Sequence, residues 1–250
     1  EPFADSPQSP TYRVSRLARS QVMVSLSGDG GDELFAGYNR HVIAPWLWDR
    51  LRRLPRPVRQ YIAAALTIAL RSNYLTSSSR VPLLGEKLEK LCGAMDAVDG
   101  MDFYRRLRAI WPAPAVQLVR GASDARLSSS GTHNAIDGLG LRERMILADM
   151  QHYLPNDILA KVDRASMAVS LEARAPMLDH RLVEFAWSVP DRFKVRAGEG
   201  KWLLRQMLYR YVPKTLLDRP KAGFAVPLGK WLRGPLRDWA EGLLNEERLH

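Results

Sequence analysis

Apolar residues recur along this chain at two spacings, and proline and glycine punctuate them into elements. The unbroken run Val22-Met23-Val24-Ser25-Leu26 is short and ends at glycine, which predicts a buried strand. Before it, residues 11–19 carry Tyr12, Val14, Leu17 and Ala18 at an imperfect helical spacing, and after it Glu33-Leu34-Phe35 opens a helical pattern. Residues 45–121 read as helical and arginine-rich, broken by Pro55, Pro57, Pro82, Pro112 and Pro114. Residues 121–140, with Ser128-Ser129-Ser130-Gly131, read as a surface loop. Residues 141–153 form a helix in this reading, and Pro155-Asn156-Asp157 opens another bearing Ile158, Leu159 and Val162. Residues 172–179 read as a loop. Asp179 then caps a helix carrying Leu182, Val183, Ala186 and Trp187, which Pro190 closes. Leu203, Leu204, Met207, Leu208 and Tyr211 share one stripe until Pro213, and a last helical region, 228–244, is interrupted by Gly234-Pro235. A lone buried parallel strand needs neighbours that this pattern hardly offers. Either the fold is mostly helical or further strands lie upstream.

Composition narrows the picture. At 250 residues and 46% hydrophobic, the chain has material for one large domain or two small ones. A formal net charge of +10 raises nucleic-acid binding as a possibility. The arginines are scattered, however, as Arg50, Arg52, Arg53, Arg56 and Arg59, then Arg105, Arg106, Arg108, Arg120 and Arg126. No zinc-finger spacing, ribonucleoprotein aromatic motif or long lysine run accompanies them. The balance reads instead as a solvated surface, or as complementarity to a polyanion such as ATP, and no nucleic-acid partner is expected. A single cysteine, Cys92, excludes an internal disulfide framework, suits a reducing compartment and sits in an apolar helical context as a core residue. No signal peptide is expected, and the most apolar stretch, 61–70, is about half of what a bilayer crossing needs. A cytoplasmic protein with no membrane partner is expected.

The loop after the predicted strand, Ser27-Gly28-Asp29-Gly30-Gly31-Asp32-Glu33, carries the most chemistry. Strand, glycine loop and helix is an arrangement that presents backbone N–H groups to phosphate. Two carboxylates in the same loop repel phosphate unless a cation lies between, which points to magnesium and a nucleotide. The plainer alternative is a helix start with Asp32 as cap and Glu33 at the positive end. The spacing fits neither a dinucleotide fingerprint, a Walker loop nor an EF-hand. Asp157, Lys161 and Arg164 share a helical face beside Asp163, which by itself reads as an exposed ion-pair ladder. Arg174 could be structural or could clamp a substrate carboxylate, and Lys221 sits between Pro220 and Ala222-Gly223 on a tight turn.

Taken in order, these segments resemble the glutamine-hydrolysing asparagine synthetase family. The resemblance rests on residues 26–38, on Lys161-Val162-Asp163-Arg164-Ala165-Ser166-Met167, on Leu171 to Asp179, on Gly200-Lys201 with Leu204-Arg205, and on Arg219-Pro220-Lys221-Ala222-Gly223-Phe224. It implies the C-terminal portion of an α/β, adenine-nucleotide α-hydrolase-like (PP-loop) synthetase domain, predominantly helical here. Residues 1–44 would be a strand-loop-helix nucleotide motif, 45–140 a helical region without a motif, and 141–250 a helical substrate and phosphate part. The implied activity is an ATP-dependent amidoligase that adenylates aspartate and lets ammonia displace AMP.

By position the resemblance makes Asp32 a magnesium ligand and places Ser27, Gly28, Gly30 and Gly31 at the nucleotide. It puts Asp29 near the aspartyl intermediate and gives Lys221 the α-phosphate and the charged transition state. Asp157 falls near an assisting acidic position, and Arg174 on the substrate side. The implied cofactors are ATP and magnesium, and the ammonia would come from a glutaminase domain not contained in this sequence. The family's Ser-Gly-Gly-x-Asp-Ser loop is also absent from the sequence, so the chain is expected to be part of a longer enzyme and inactive alone. A related amidotransferase acting on a sugar acid, and a non-catalytic interaction module, stay open as alternatives. So does a homodimer.

Overall fold

The computed structural model describes residues 5, 7–71, 84–109, 138–217 and 226–245. Most of the expected 121–140 loop and the turn bearing Lys221 lie outside the described residues. The order is α1 (Gln8–Arg19), β1 (Val24–Leu26), α2 (Gly31–Leu34), α3 (Asn39–Leu51), α4 (Arg56–Arg71), α5 (Leu84–Ala94), α6 (Gly100–Arg108) and α7 (Leu141–Ala148). A π-helical segment, Asp149–Leu159, leads into α8 (Ala160–Met167), β2 (Glu172–Arg174), a 3-10 turn at Pro176–Leu178 and α9 (His180–Ser188). Then come α10 (Asp191–Lys194), α11 (Trp202–Leu208), α12 (Lys214–Leu217), α13 (Leu228–Leu232) and α14 (Arg237–Leu243). Helix dominates, as expected.

These elements fall into two compact units. The first comprises Glu1–Gly30, His152–Val183 and Met207–His250, and the second Gly31–Gln151 and Glu184–Gln206. In the second unit, α3 to α7 surround a core of Ala44, Leu51, Met95, Phe103, Tyr104 and Met145, with Trp48 tilted on Phe103 at 5.5 Å between ring centres. Cys92 is buried, as its context predicts. Several arginines of the basic middle region are committed to intrachain partners. The Arg59 guanidinium is buried and donates to the carbonyls of Met95 (3.0 Å) and Ala97 (2.9 Å), closing the turn after α5. Arg56 holds Asp96 bidentately at 2.7 and 2.9 Å and draws that carboxyl down to about 2.

In the first unit, α1 packs along α8, and β1 pairs with β2 in parallel, Val24 opposite Glu172 and Leu26 opposite Arg174. Two expectations are corrected here. Glu172-Ala173-Arg174 is a strand, not loop; three residues with no apolar alternation leave no period to read. The run 22–26 yields a strand only at Val24–Leu26, and it is not buried: Met23, Val24 and Leu26 are exposed, since the sheet described has only two strands and no layer among the described residues covers these side chains.

Two further boundaries differ from the pattern. The helix opening at Glu33 is a single turn, because Ala36 enters the left-handed region at φ 56° and ends it. Pro155 opens no new helix. It lies inside the π-helical segment, whose wider turns accommodate a residue without an N–H. Asp179 does cap α9, accepting from the Arg181 N–H at 2.9 Å, and Gly234-Pro235 separates α13 from α14.

Candidate functional site

Parallel strands place ligands beyond their carboxyl ends, and Ser27 and Asp29 of the first unit lie there. The ladder between β1 and β2 continues one residue past β1, with the Ser27 N–H donating to Arg174 O at 2.8 Å. That fixes Ser27 on a cavity of about 260 Å³, lined also by Asp29, Asp163 and Ser166 and by Glu172 and Ala173 of β2. Ser27 Oγ is buried and has no hydrogen-bond partner among the described residues. An orphaned hydroxyl at a strand end fits a ligand that would bond it. The volume lies below the roughly 300–1,000 Å³ of a typical small-molecule site, so it suits one group of a substrate rather than a whole nucleotide. Gly28 is exposed with open space beside it, and Gly30 is buried against Leu178.

Asp157 stands elsewhere in this unit. It pairs with Lys161 at 3.6 Å, and Lys161 pairs more closely with Asp5 at 2.7 Å. Burial pushes the Lys161 ammonium down, but Asp5 and Asp157 outweigh it and raise its pKa. The face expected to be an exposed ladder is therefore a half-buried ion triplet, with the Lys161 side chain only 12% exposed. Arg174 donates to Glu172 Oε1 at 2.7 Å from an exposed position and does not line the cavity.

In the second unit the other half of the loop has different company. Gly31 is buried at the start of α2, and Asp32 Oδ1 lies 3.0 Å from Lys201 Nζ. Lys201 had appeared in the sequence only as part of a motif. Among the described residues, no group of three or more His, Cys, Asp or Glu is placed to hold a metal ion. Asp32, expected as a magnesium ligand, stands here as the carboxylate partner of the Lys201 ammonium.

The same unit holds a buried charge cluster that pattern reading did not reveal. Asp149, fully buried at the start of the π-helical segment, accepts from Arg40 at 2.7 Å, His41 at 2.9 Å and Arg108 at 3.0 Å. Burial pushes the Asp149 carboxyl up, but the bonds from His41, Arg40 and Tyr104 outweigh it and hold it well below the usual range. Burial lowers His41, which Asp149 offsets only in part. The Nδ1 of His41 is buried without a partner among the described residues, so a second proton there would be an unpaired buried donor. The one signal in the sequence was an aspartate interrupting the apolar face of 141–153.

The family model for asparagine synthase matches residues 1–250. The chain belongs to the asparagine synthase family. It is 29% identical over 251 residues to asparagine synthetase [glutamine-hydrolyzing] 1 of Bacillus subtilis (strain 168), covering 99% of this chain and 38% of that protein. A putative asparagine synthetase [glutamine-hydrolyzing] of Mycobacterium tuberculosis (strain ATCC 25618 / H37Rv) is 33% identical over 244 residues, 96% of this chain and 35% of its own length. Putative asparagine synthetase [glutamine-hydrolyzing] 2 of Methanocaldococcus jannaschii is 51% identical over 59 residues, 24% of this chain and 11% of that protein. The chain thus spans little more than a third of the length of the first two relatives. No solved structure matches it. Membership places the chain in the PP-loop synthetase class. Among the described residues no helix is long and apolar enough to cross a membrane.

Proposed function

We propose that this chain is the C-terminal part of a cytoplasmic, ATP-dependent amidoligase that adenylates the side-chain carboxylate of aspartate and yields asparagine when ammonia displaces AMP. The observation that carries the reading is the coincidence of a family match over residues 1–250 with Ser27 and Asp29 standing at the carboxyl end of a parallel strand, on a cavity. A carboxylate is a poor electrophile until its oxygen becomes a leaving group; attack on the α-phosphate of ATP supplies that, releasing pyrophosphate and leaving an acyl-adenylate from which ammonia displaces AMP. In this reading Ser27, Gly28, Gly30 and Gly31 approach the nucleotide, Asp29 faces the acyl group and Asp32 gives one ligand to magnesium. Magnesium, when bound, neutralises the polyphosphate leaving group. Lys221 provides positive charge at the α-phosphate, Asp157 assists, and Arg174 flanks the substrate. Glutamine-derived ammonia would come from a glutaminase domain elsewhere in a longer polypeptide.

The lining of the cavity supports reading aspartate, rather than a sugar acid, as the acceptor. Asp29, Asp163 and Glu172 line it and offer carboxylate partners to the α-ammonium group of aspartate, which a sugar acid lacks. The test is carboxylate-dependent pyrophosphate release. The isolated chain is expected to release none, and a polypeptide joining it to a Ser-Gly-Gly-x-Asp-Ser segment is expected to release it with aspartate. In that polypeptide Asp29→Asn should lower kcat by about 100-fold, as loss of a group acting on the transition state does. Release with a sugar acid and not with aspartate would replace the acceptor, and no release with any carboxylate would overturn the reading.

A further inference from the structure

Asp32 and Lys201 meet where two loops of the second unit are locked together under strain. Arg196 and Glu199 bond each other's backbones at 3.0 and 2.9 Å, and that tight turn delivers Gly200 and Lys201 to the loop after α2. The Lys201 N–H donates to Phe35 O at 2.9 Å, and the Gly37 N–H donates to Asp32 O at 2.8 Å. Lys201 and Ala36 both adopt left-handed backbone, at φ 54° and 56°. Non-glycine residues enter that region at a cost, and such outliers concentrate where a site is held ready. The approach is also too close for side chains. A Cβ at Gly200 would collide with Ala36 O, and one at Gly37 with both Asp32 Oδ1 and Lys201 Cε. Four residues are thus constrained so that one ammonium reaches one carboxylate.

We propose that Lys201 is the positioning residue of Asp32 and its resident counter-cation, and that it competes with a divalent cation for the same carboxylate. This rests on the reading of Asp32 as a cation-facing residue and extends it to how that residue is kept before loading. The physical argument is one of occupancy. The ammonium lies 3.0 Å from Oδ1, so a divalent cation bonded to that oxygen would share it with a second positive charge and the two would repel. The side chains are 31% and 27% exposed, so exchange requires no unfolding. Lys201 holds the loop in register and lowers the apparent affinity of the site for divalent cations.

The test reads cation binding, not turnover. Mn²⁺ is titrated into the full chain and free Mn²⁺ is followed by electron paramagnetic resonance, with circular dichroism confirming the fold of each variant. Lys201→Met should tighten the Asp32-dependent binding by roughly tenfold, the scale of one partly screened charge contact. Lys201→Arg should stay near the parent protein, and Asp32→Asn should abolish the binding in either background. Equal, weaker or undetectable binding in Lys201→Met overturns the proposal, as does binding that survives Asp32→Asn. Lys201→Gln is read by the same criteria if the methionine variant does not fold. In the unsubstituted chain, Mg²⁺ should shift the Lys201 Nζ resonance, and an unmoved resonance at saturating Mg²⁺ overturns the proposal independently. Failure of the amidoligase reading would appear as absent pyrophosphate release, a measurement separate from both of these.

Discussion

The two compact units handle charge and apolar surface in opposite ways. In the second unit, Asp149 is removed from water and surrounded by Arg40, Arg108, His41 and Tyr104, within a packed helical layer. In the first, the sheet leaves Met23, Val24 and Leu26 exposed, and its strand-borne ion pair, Arg174 with Glu172, stands in solvent. The same guanidinium–carboxylate chemistry is therefore structural at Asp149 and nearly incidental at Arg174. Burial decides which, because desolvation makes a lost partner costly only where water cannot replace it.

The largest effect that would test this contrast is cavity formation. Phe103→Ala should cost about 3–5 kcal/mol in urea unfolding, whereas Leu26→Ala should cost less than about 1 kcal/mol. Equal costs would mean that the strand face is covered in solution. Next in size, Asp149→Asn should destabilise by about 3 kcal/mol, at the lower end for a broken buried pair, since Arg40 and Arg108 are partly exposed and can recover water. A loss below about 1 kcal/mol would show that the cluster is not structural.

The pH dependence is smaller. His41 has a lowered pKa when folded, so below the ordinary histidine value near 6.5 the unfolded chain binds more protons, and stability falls as pH drops from 7 to 5. The groups facing it are Asp149, Arg40 and Glu33. His41→Gln should flatten that slope, by on the order of 1 kcal/mol across the window, as thermal denaturation at each pH would show. Asp149, also lowered, adds its loss only as pH falls below the usual carboxylate range. Smallest of all, Arg174→Ala should change stability by less than about 0.5 kcal/mol by the same denaturation.

Local chemistry made much of the fold legible. Asp179 begins α9 and Gly234-Pro235 divides the last helices because capping and ring closure act within a few residues. The candidate loop was legible for the same reason, since Ser27 to Gly31 declare a glycine turn after a strand. What failed to show was whatever depends on distant partners. Glu172-Ala173-Arg174 became a strand through pairing with β1, and Pro155 was absorbed by a π-helical widening.

By itself, the sequence determined the helical character, the order of motifs and the family to which they belong, because each is written in residue type and spacing. Only the tertiary structure decided that Asp149 is shared by Arg40, His41 and Arg108, which lie about 40 to 110 positions away. It alone set Lys201 against Asp32 and left Val24 and Leu26 of β1 exposed among the described residues. A carboxylate's partner and a strand's exposure are properties of what folds against them, and no local period encodes either.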